Sequence, residues 1–513
     1  MGFQQASGSH PRIIEKLLSM NTYDILVEEL KRIHALGEVS NLLDWDEQVN
    51  LPPQSGDFRA RQSAAMSAVV HREATQPRVG DLICELEQSG DLDSGQQLVL
   101  AEARKDFDRL TKIPEDFVAH KAEHLSKSYH AWAKARAEND FASYAPFLDE
   151  NVKLAREEAA FLGRADDPYD YWIDRFDPGM DAATIERIFS GLKVELVPLV
   201  REILDSPIKA NTHCMRGFPV ERQESFLREV TAKLGFNYER GRIDRSLHPF
   251  CSGNAFDTRM TTRFFEDNPL DSLFSSIHET GHGLYEQGLP HEHVGTALGQ
   301  SAGMAVHESQ SRLWENQVAR SREFWQYWES SYREAFPEQL AGVSSQELYL
   351  TVNAVTLNPI RVDSDEVTYN LHIVLRFELE KALFDGNLSV MDLPSEWNRL
   401  SEEILGLRPG KDTEGVLQDV HWSGAAFGYF PSYCLGNLLA AQLWYALQEQ
   451  VPEVLSEIAQ GNFVPVLEWL REKVHRHGRH RFAQELSRDV TGKELSHECL
   501  IRYLKERYLP LYR

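Results

Sequence analysis

NPLDSLFSSIHETGHGLYEQGLP, residues 268–290, is the stretch from which the rest of the chain is read. Asn268 is a good N-cap, and Pro269 suits the first helical position, where a missing N–H costs nothing. Leu270, Leu273, Phe274, Ile277 and Leu284 recur at helical spacing and form an apolar stripe. Gly288 and Pro290 close the helix. Inside it stands His278-Glu279-Thr280-Gly281-His282. Positions i and i+4 share a helix face, so both imidazoles can reach one cation. Glu279, the next residue round, can hydrogen-bond a water on that cation. The stripe would fix the helix to a core while His278 and His282 point into a cleft.

The chain has 19 His, so such a pentapeptide can arise by chance and a third donor is needed. His307-Glu308-Ser309-Gln310 opens a further helix, with Leu313, Trp314 and Val318 on one apolar side. Glu308 follows His282 by 26 residues, enough for a turn, a loop and a return. Two His and one Glu, with water in the fourth position, form the open ligand set of a catalytic metal; a closed structural site would favour Cys. Residues 289–303 hold three Gly with His291 and His293, a mobile connection beside the cleft. Those two His are exposed side chains or, alternatively, ligands.

The chain has 513 residues, 42% hydrophobic and 26% charged, which suits a large soluble protein with ample core. With 79 Asp+Glu against 54 Lys+Arg the net charge is −25, which argues against a nucleic-acid surface. Five scattered Cys without a C-x-x-C spacing suit a reducing compartment. The N-terminal residues lack an apolar signal core, and no uncharged run is long enough to span a bilayer. The expected location is the cytoplasm, with residues 1–10 a flexible tail.

Residues 11–205 read as helix after helix: Tyr23 to Leu36, Phe58 to about His71, the Ala/Glu/Lys/Leu-rich region 94–163, and Ala182 to Leu204. Pro168 to Gly179 reads as a turn-rich aromatic connector, and helix resumes over Val220 to Leu234. No repeat or flexible linker interrupts the chain, so residues 11–513 are expected to form one mainly α domain with two lobes.

Four further segments carry candidate chemistry. After the extended His248-Pro249-Phe250, Asp257 to Phe265 has loose alternation and suggests a short strand at the edge of a peptide groove. Asp257 and Arg259 there are equally explained as an ion pair. Arg361, in Pro359 to Glu366, is suited to holding a carboxylate, or to pairing with Asp363, Asp365 or Glu366. Gly415 to Trp422, running on to Tyr433, supplies His and Tyr able to hydrogen-bond an oxyanion beside a metal. His475 to Arg481 reads as cations complementing a helix end.

Together these motifs resemble the carboxypeptidase Taq family of metallocarboxypeptidases. Six signatures occur in family order: His248-Pro249-Phe250, Asp257 to Thr261, His278 to His282, His307-Glu308-Ser309, Ile360-Arg361 with Asp365, and Gly415 to Trp422. Trp45-Asp46 and Tyr429 to Tyr433 are also similar, and Ser364 departs from the Ala usual before the Asp. The resemblance implies a helical, cleft-bearing fold with a small β-sheet at the cleft edge, similar to neurolysin and angiotensin-converting enzyme. It implies zinc or cobalt, a homodimer, and removal of single residues from peptides with a free C-terminus. On this reading His278, His282 and Glu308 hold the metal and Glu279 is the general base. Tyr433, with His248 or His421, stabilises the oxyanion, and Arg361, with Arg259 and Tyr429, binds substrate. An oligopeptidase or dipeptidyl carboxypeptidase on the same site is the alternative; a non-catalytic metal-stabilised protein would have no need of Glu279.

Overall fold

The computed structural model describes residues 20–513, which fall into two compact units. The tail expected over residues 1–10, and the helical start at residue 11, lie outside the described residues. The first unit comprises residues up to Ile113 with Pro290–Gln300 and His477–His480. It contains α1 (Thr22–Val49), α2 (Gly56–Ala74), α3 (Pro77–Ser89) and α4 (Ser94–Thr111). Asn21 caps α1 through Asp24 N, and Asp93 with Gln96 forms a capping box on α4. Leu26, Val79, Leu82, Ile83, Leu86 and Leu100 are its core. α1 runs past the expected Leu36 because nothing before Pro52 breaks it.

The second unit holds the remaining described residues. Its first helices are α5 (Glu115–Glu138), α6 (Phe141–Phe161), α7 (Pro168–Phe176), α8 (Ala182–Asp205) and α9 (Val220–Lys233). α8 shows why such sequences fold as they do. Asp181 caps Thr184 N, and Ile185, Ile188, Phe189, Leu192, Leu196, Leu199 and Ile203 fall on one buried face. The segment expected as a connector, Pro168 to Gly179, contains helix α7 instead. Pro168 starts it, and burying Tyr169, Tyr171, Trp172 and Ile173 outweighs the weak helix preference of aromatic residues.

Three strands follow: β1 (Gly241–Arg245), β2 (Phe250–Asn254) and β3 (Asp257–Thr262). The sheet order is β1-β3-β2, with β1 parallel and β2 antiparallel to β3. The strand expected from Asp257 is therefore central in a small sheet. The sheet packs on α10 (Pro269–Gly288), which has the boundaries read from the sequence, although Asn268 makes no side-chain cap bond. Then come α11 (Met304–Arg312), a π-helical turn over Leu313–Val318, α12 (Arg322–Ala335), α13 (Ser345–Val352), α14 (Tyr369–Phe384), α15 (Leu393–Leu400) and α16 (Phe430–Gln450). α16 is buried on nearly every side and packs against α11 and α14. Its all-round apolar sequence follows from that central place. Among the described residues, no helix is long and apolar enough to cross a membrane.

Candidate metal centre

All ten candidate site residues lie in the second unit. α10 presents His278 and His282, and α11 presents Glu308. Two glycines let these helices and α16 meet. A Cβ on Gly281 would lie 2.5 Å from Ser311 Cα and 2.6 Å from Gln310 O, so α10 and α11 touch backbone to backbone there. A Cβ on Gly436 would lie 2.6 Å from both Cβ and Cγ of Glu308, so α16 supports the Glu308 stem directly. Asp177 fixes the start of α11 by accepting from Ala305 N (2.6 Å) and ties it to α16 through Ser432 Oγ.

The three ligand candidates converge. His278 Nε2 and His282 Nε2 are 3.2 Å apart, and each lies 3.5 or 3.4 Å from Glu308 Oε2. Hydrogen bonds behind them set the tautomers. Glu315 Oε2 accepts from His278 Nδ1 (2.9 Å), so the proton is on Nδ1 and Nε2 keeps its lone pair. His307 Nε2 donates to Glu286 Oε1 (2.8 Å), so its Nδ1 accepts from His282 Nδ1, and His282 Nε2 likewise faces inward with a lone pair. Two lone pairs and a carboxylate oxygen facing one another at such distances repel unless a cation lies between them. Among the described residues these three are the one group of His, Cys, Asp or Glu arranged to hold a metal ion.

Burial and neighbouring charges act on each of these groups. Burial raises the Glu308 carboxyl, but Arg312, which donates to Oε1 (2.7 Å), and the two imidazoles carry it well below the ordinary range. Glu315 is similarly buried and is lowered to about 2 by Arg312 (3.0 Å) and its bond to His278. Burial lowers His282 to about 3, assisted by His307, so it is neutral at pH 7. On His278 burial opposes the charged form, yet Glu308 and Glu315 raise its pKa overall. Glu279 is buried beside them. Burial raises it to about 7, where it can both take and return a proton.

The segment after Gly415 builds a second cluster around Arg361, and each polar member has work there. Gln418 accepts from Arg361 N (2.8 Å) and donates to Pro359 O (3.1 Å). Asp419 Oδ1 accepts from Arg361 Nε and Nη2 (3.0 and 2.9 Å), so Arg361 is paired with Asp419 and with none of Asp363, Asp365 and Glu366. Trp422 Nε1 donates to Glu380 (2.7 Å). His421 Nε2 lies 3.3 Å from the Tyr433 hydroxyl, and burial lowers that imidazole to about 4, leaving it neutral. The Tyr433 ring stacks on Arg361 at 5.1 Å and meets Tyr429 edge-on at 5.2 Å. Burial raises both phenols, Tyr429 to about 12, and the charge on Glu308 acts on each of them. Asp365 Oδ1 accepts from Val367 N and Thr368 N in the turn that leads into α14. Ser364 donates to Ile360 O (2.9 Å) and bonds His372 Nε2 (2.8 Å), so this departure from the family pattern fastens the Arg361 turn to α14.

Other candidates stand apart. The His248 side chain is exposed and makes no hydrogen bond to the cluster, while its carbonyl accepts from Ser246 and Thr261. Arg259 forms a two-point ion pair with Asp257 (2.9 and 2.8 Å). His291 is half-buried and His293 exposed, and neither belongs to the metal-holding group. His475 corrects the reading of its segment as helix-end cations. It is fully buried, hydrogen-bonded to Gln310 (3.0 Å), and lowered by burial to about 3. Sequence reasoning missed Glu286, Arg312 and Glu315, and it named His307 without giving it a role. The signal was present: Glu286 follows His282 by one helical turn, and Glu315 follows Glu308 by two.

The family described as Carboxypeptidase Taq (M32) metallopeptidase matches residues 25–508. The chain is 38% identical to thermostable carboxypeptidase 1 of Thermus thermophilus over 504 residues, covering 96% of this chain and 99% of that one. It is 36% identical to carboxypeptidase 1 of Bacillus subtilis over 499 residues, covering 96% of this chain and all of that one. The crystal structure of the M32 carboxypeptidase from Deinococcus radiodurans R1 superposes with a TM-score of 0.93 at 39% identity, over 96% of this chain and 99% of that one. The donor set fits the divalent metal that such a peptidase requires.

Proposed function

We propose that this chain, which belongs to the carboxypeptidase Taq (M32) family and is a metallocarboxypeptidase, removes single residues from free peptide C-termini with His278, His282 and Glu308 as the metal ligands. The observation that carries the assignment is the convergence of three inward-facing ligand atoms beside a buried, proton-accepting Glu279. The three ligand atoms lie 3.2, 3.4 and 3.5 Å from one another, and two imidazoles with one carboxylate are a donor set suited to zinc, with cobalt as a substitute.

When bound, the ion supplies a Lewis acid that polarises the scissile carbonyl and makes water acidic enough to react near neutral pH. The chain's own residues do the rest. Glu279 takes a proton from the attacking water and returns it to the leaving amine. The Tyr433 hydroxyl, oriented by His421, donates to the developing oxyanion, a contribution of about 3 kcal/mol. Arg361 holds the terminal carboxylate, with Tyr429 bordering the site. An exopeptidase needs such an anchor to count from the chain end. The exposed His248 and the Asp257-paired Arg259 would contact substrate further out along β2 and β3.

The five cysteines are free, which supports a reducing, cytoplasmic setting. A homodimer is part of the same reading and is checked by sedimentation. The decisive assay is mass spectrometry of a mixed peptide digested by the zinc-loaded protein. It should give ladders of one residue; dipeptide steps or internal cuts would replace this reading with the dipeptidyl carboxypeptidase or oligopeptidase one. Glu279→Gln should keep its metal and lose turnover by about two to four orders of magnitude. Near-normal turnover would remove Glu279 as the base.

A further inference from the structure

Arg361 already has a carboxylate of its own. Nε and Nη2 donate to Asp419 and Nη1 donates to the Tyr369 hydroxyl (3.0 Å). Three of the five guanidinium N–H bonds are thereby used. Two remain, one on each terminal nitrogen, for a second carboxylate. An Arg–Asp pair is close to neutral at a distance, however, and on its own would attract an incoming anion weakly.

The structure holds a second cation on the same acid. Arg376, on α14, is wholly buried and donates from Nε and Nη2 to Asp419 Oδ2 (2.7 and 2.5 Å). Its Nη1 donates to His372 O (2.8 Å). Asp419 thus accepts four N–H bonds, two on each oxygen, and one negative charge is divided between two positive ones. The imidazoles of His372 and His421 are neutral, lowered by burial to about 3 and about 4. Glu380 is the other acid within reach of Arg376. It bonds Tyr169, Trp422 and Gly428 N instead, and burial raises it to about 7. Removing Arg376 from solvent is costly, and a single Arg would have sufficed to satisfy Asp419.

We propose that Arg376 is a positioning and charge-setting residue for substrate recognition: by taking one oxygen of Asp419 it leaves Arg361 with uncompensated positive charge for the substrate's terminal carboxylate. Arg376 has no surface with which to touch substrate, and acts through Asp419 alone. The inference rests on the reading of Arg361 as the carboxylate anchor. A unit charge about 8–10 Å from the bound anion, at an effective dielectric of about 20, is worth on the order of tenfold in affinity.

The test uses the zinc-loaded protein with a free-acid peptide as substrate and its C-terminal amide as inhibitor. Arg376→Met keeps the length and removes the charge. In it the free-acid KM should rise about tenfold, with kcat within a few-fold and the amide inhibition constant unchanged. Arg376→Lys, which keeps the charge, should recover most of the KM. A folded, metal-loaded Arg376→Met with the wild-type free-acid KM overturns the proposal. Should loss of the charge prevent folding, Arg376→Lys carries the test, and a tenfold KM rise in it overturns the charge-setting role. Arg361→Met separates the two readings. If it leaves the preference for free acid over amide intact, the anchor assignment falls. If it abolishes that preference while Arg376→Met does not, only the inference about Arg376 falls.

Discussion

Gly436→Ala should loosen the metal without unfolding the protein. The added Cβ would sit 2.6 Å from Glu308 Cβ and Cγ and 3.2 Å from Ala305 O. Ordinary carbon contacts begin near 3.5 Å, so Glu308 must retreat by about 1 Å. A metal ligand tolerates only about 0.2 Å. Overpacking of this kind costs about 1–3 kcal/mol when the neighbour is held in place. Rotating the Glu308 side chain moves Cγ but not Cβ, so α11 and α16 must also part slightly in the metal-free protein, a cost partly offset because Ala gains about 1 kcal/mol over Gly in a helix. The unfolding midpoint of the metal-free protein should therefore move by only a few degrees. When an ion pulls Glu308 back, the strain is taken from binding, and 1–3 kcal/mol corresponds to about 5- to 150-fold weaker affinity. Competition against a zinc-buffering chelator, with thermal unfolding of the metal-free protein alongside, measures both. Wild-type zinc affinity in a folded Gly436→Ala protein would refute the claim that α16 seats a metal-ligating Glu308.

Two further outcomes follow from the same geometry. Glu286→Gln weakens the acceptor that fixes His307 and, through it, His282. Zinc affinity by chelator competition should fall about 10–100-fold, and an unchanged value would reduce the Glu286–His307 pair to packing. Glu380 is raised by burial from its ordinary 4.5 to about 7. Between those values the folded protein keeps a proton that the unfolded chain releases, so this group's contribution to stability is full below about pH 4.5 and is lost as pH rises through 7. Glu380→Gln cannot titrate, so its stability relative to wild type should improve by about 2–3 kcal/mol from pH 5 to pH 8. Urea unfolding at the two pH values checks this, and a constant difference rejects the raised pKa.

How much of this was legible beforehand depends on whether the cause is local. α8, α9 and α10 were read within a residue or so because capping, Pro at the first turn and a 3–4 spacing of apolar residues are properties of neighbours in sequence. α7 was not, since its nine residues are held by burial of aromatic side chains against distant helices. The same division runs through the site. His278, His282 and Glu308 were legible as candidate ligands because ligand chemistry constrains residue type and spacing, and the structure brings the three together. The partner of Arg361 did not. Three acids within five residues looked adequate, yet the bond goes to Asp419, 58 positions away. Charge near in sequence is a poor guide where the turn points the side chain inward and the near acids have other tasks, as Asp365 has in bonding the turn before α14.

The π turn after α11 belongs with that non-local class and explains the most consequential omission. In a regular helix, residues seven apart are nearly eclipsed, so Glu308 and Glu315 would stack on one line with Arg312 beside them. Such a stack lets the Arg neutralise both acids, but presents both to the same point. Leu313–Val318 instead takes the wider π-helical turn, and Glu315 ends with Oε2 on His278 Nδ1 while Glu308 Oε2 faces Nε2 of the same ring. One imidazole is therefore held from both sides by two acids, one fixing the tautomer and the other completing the proposed ligand set. Arg312 bridges them from Nε and Nη1. A π insertion costs hydrogen-bond quality and persists mainly where something depends on it. Here the dependent feature is a ring whose proton must lie on one nitrogen and whose lone pair must lie on the other.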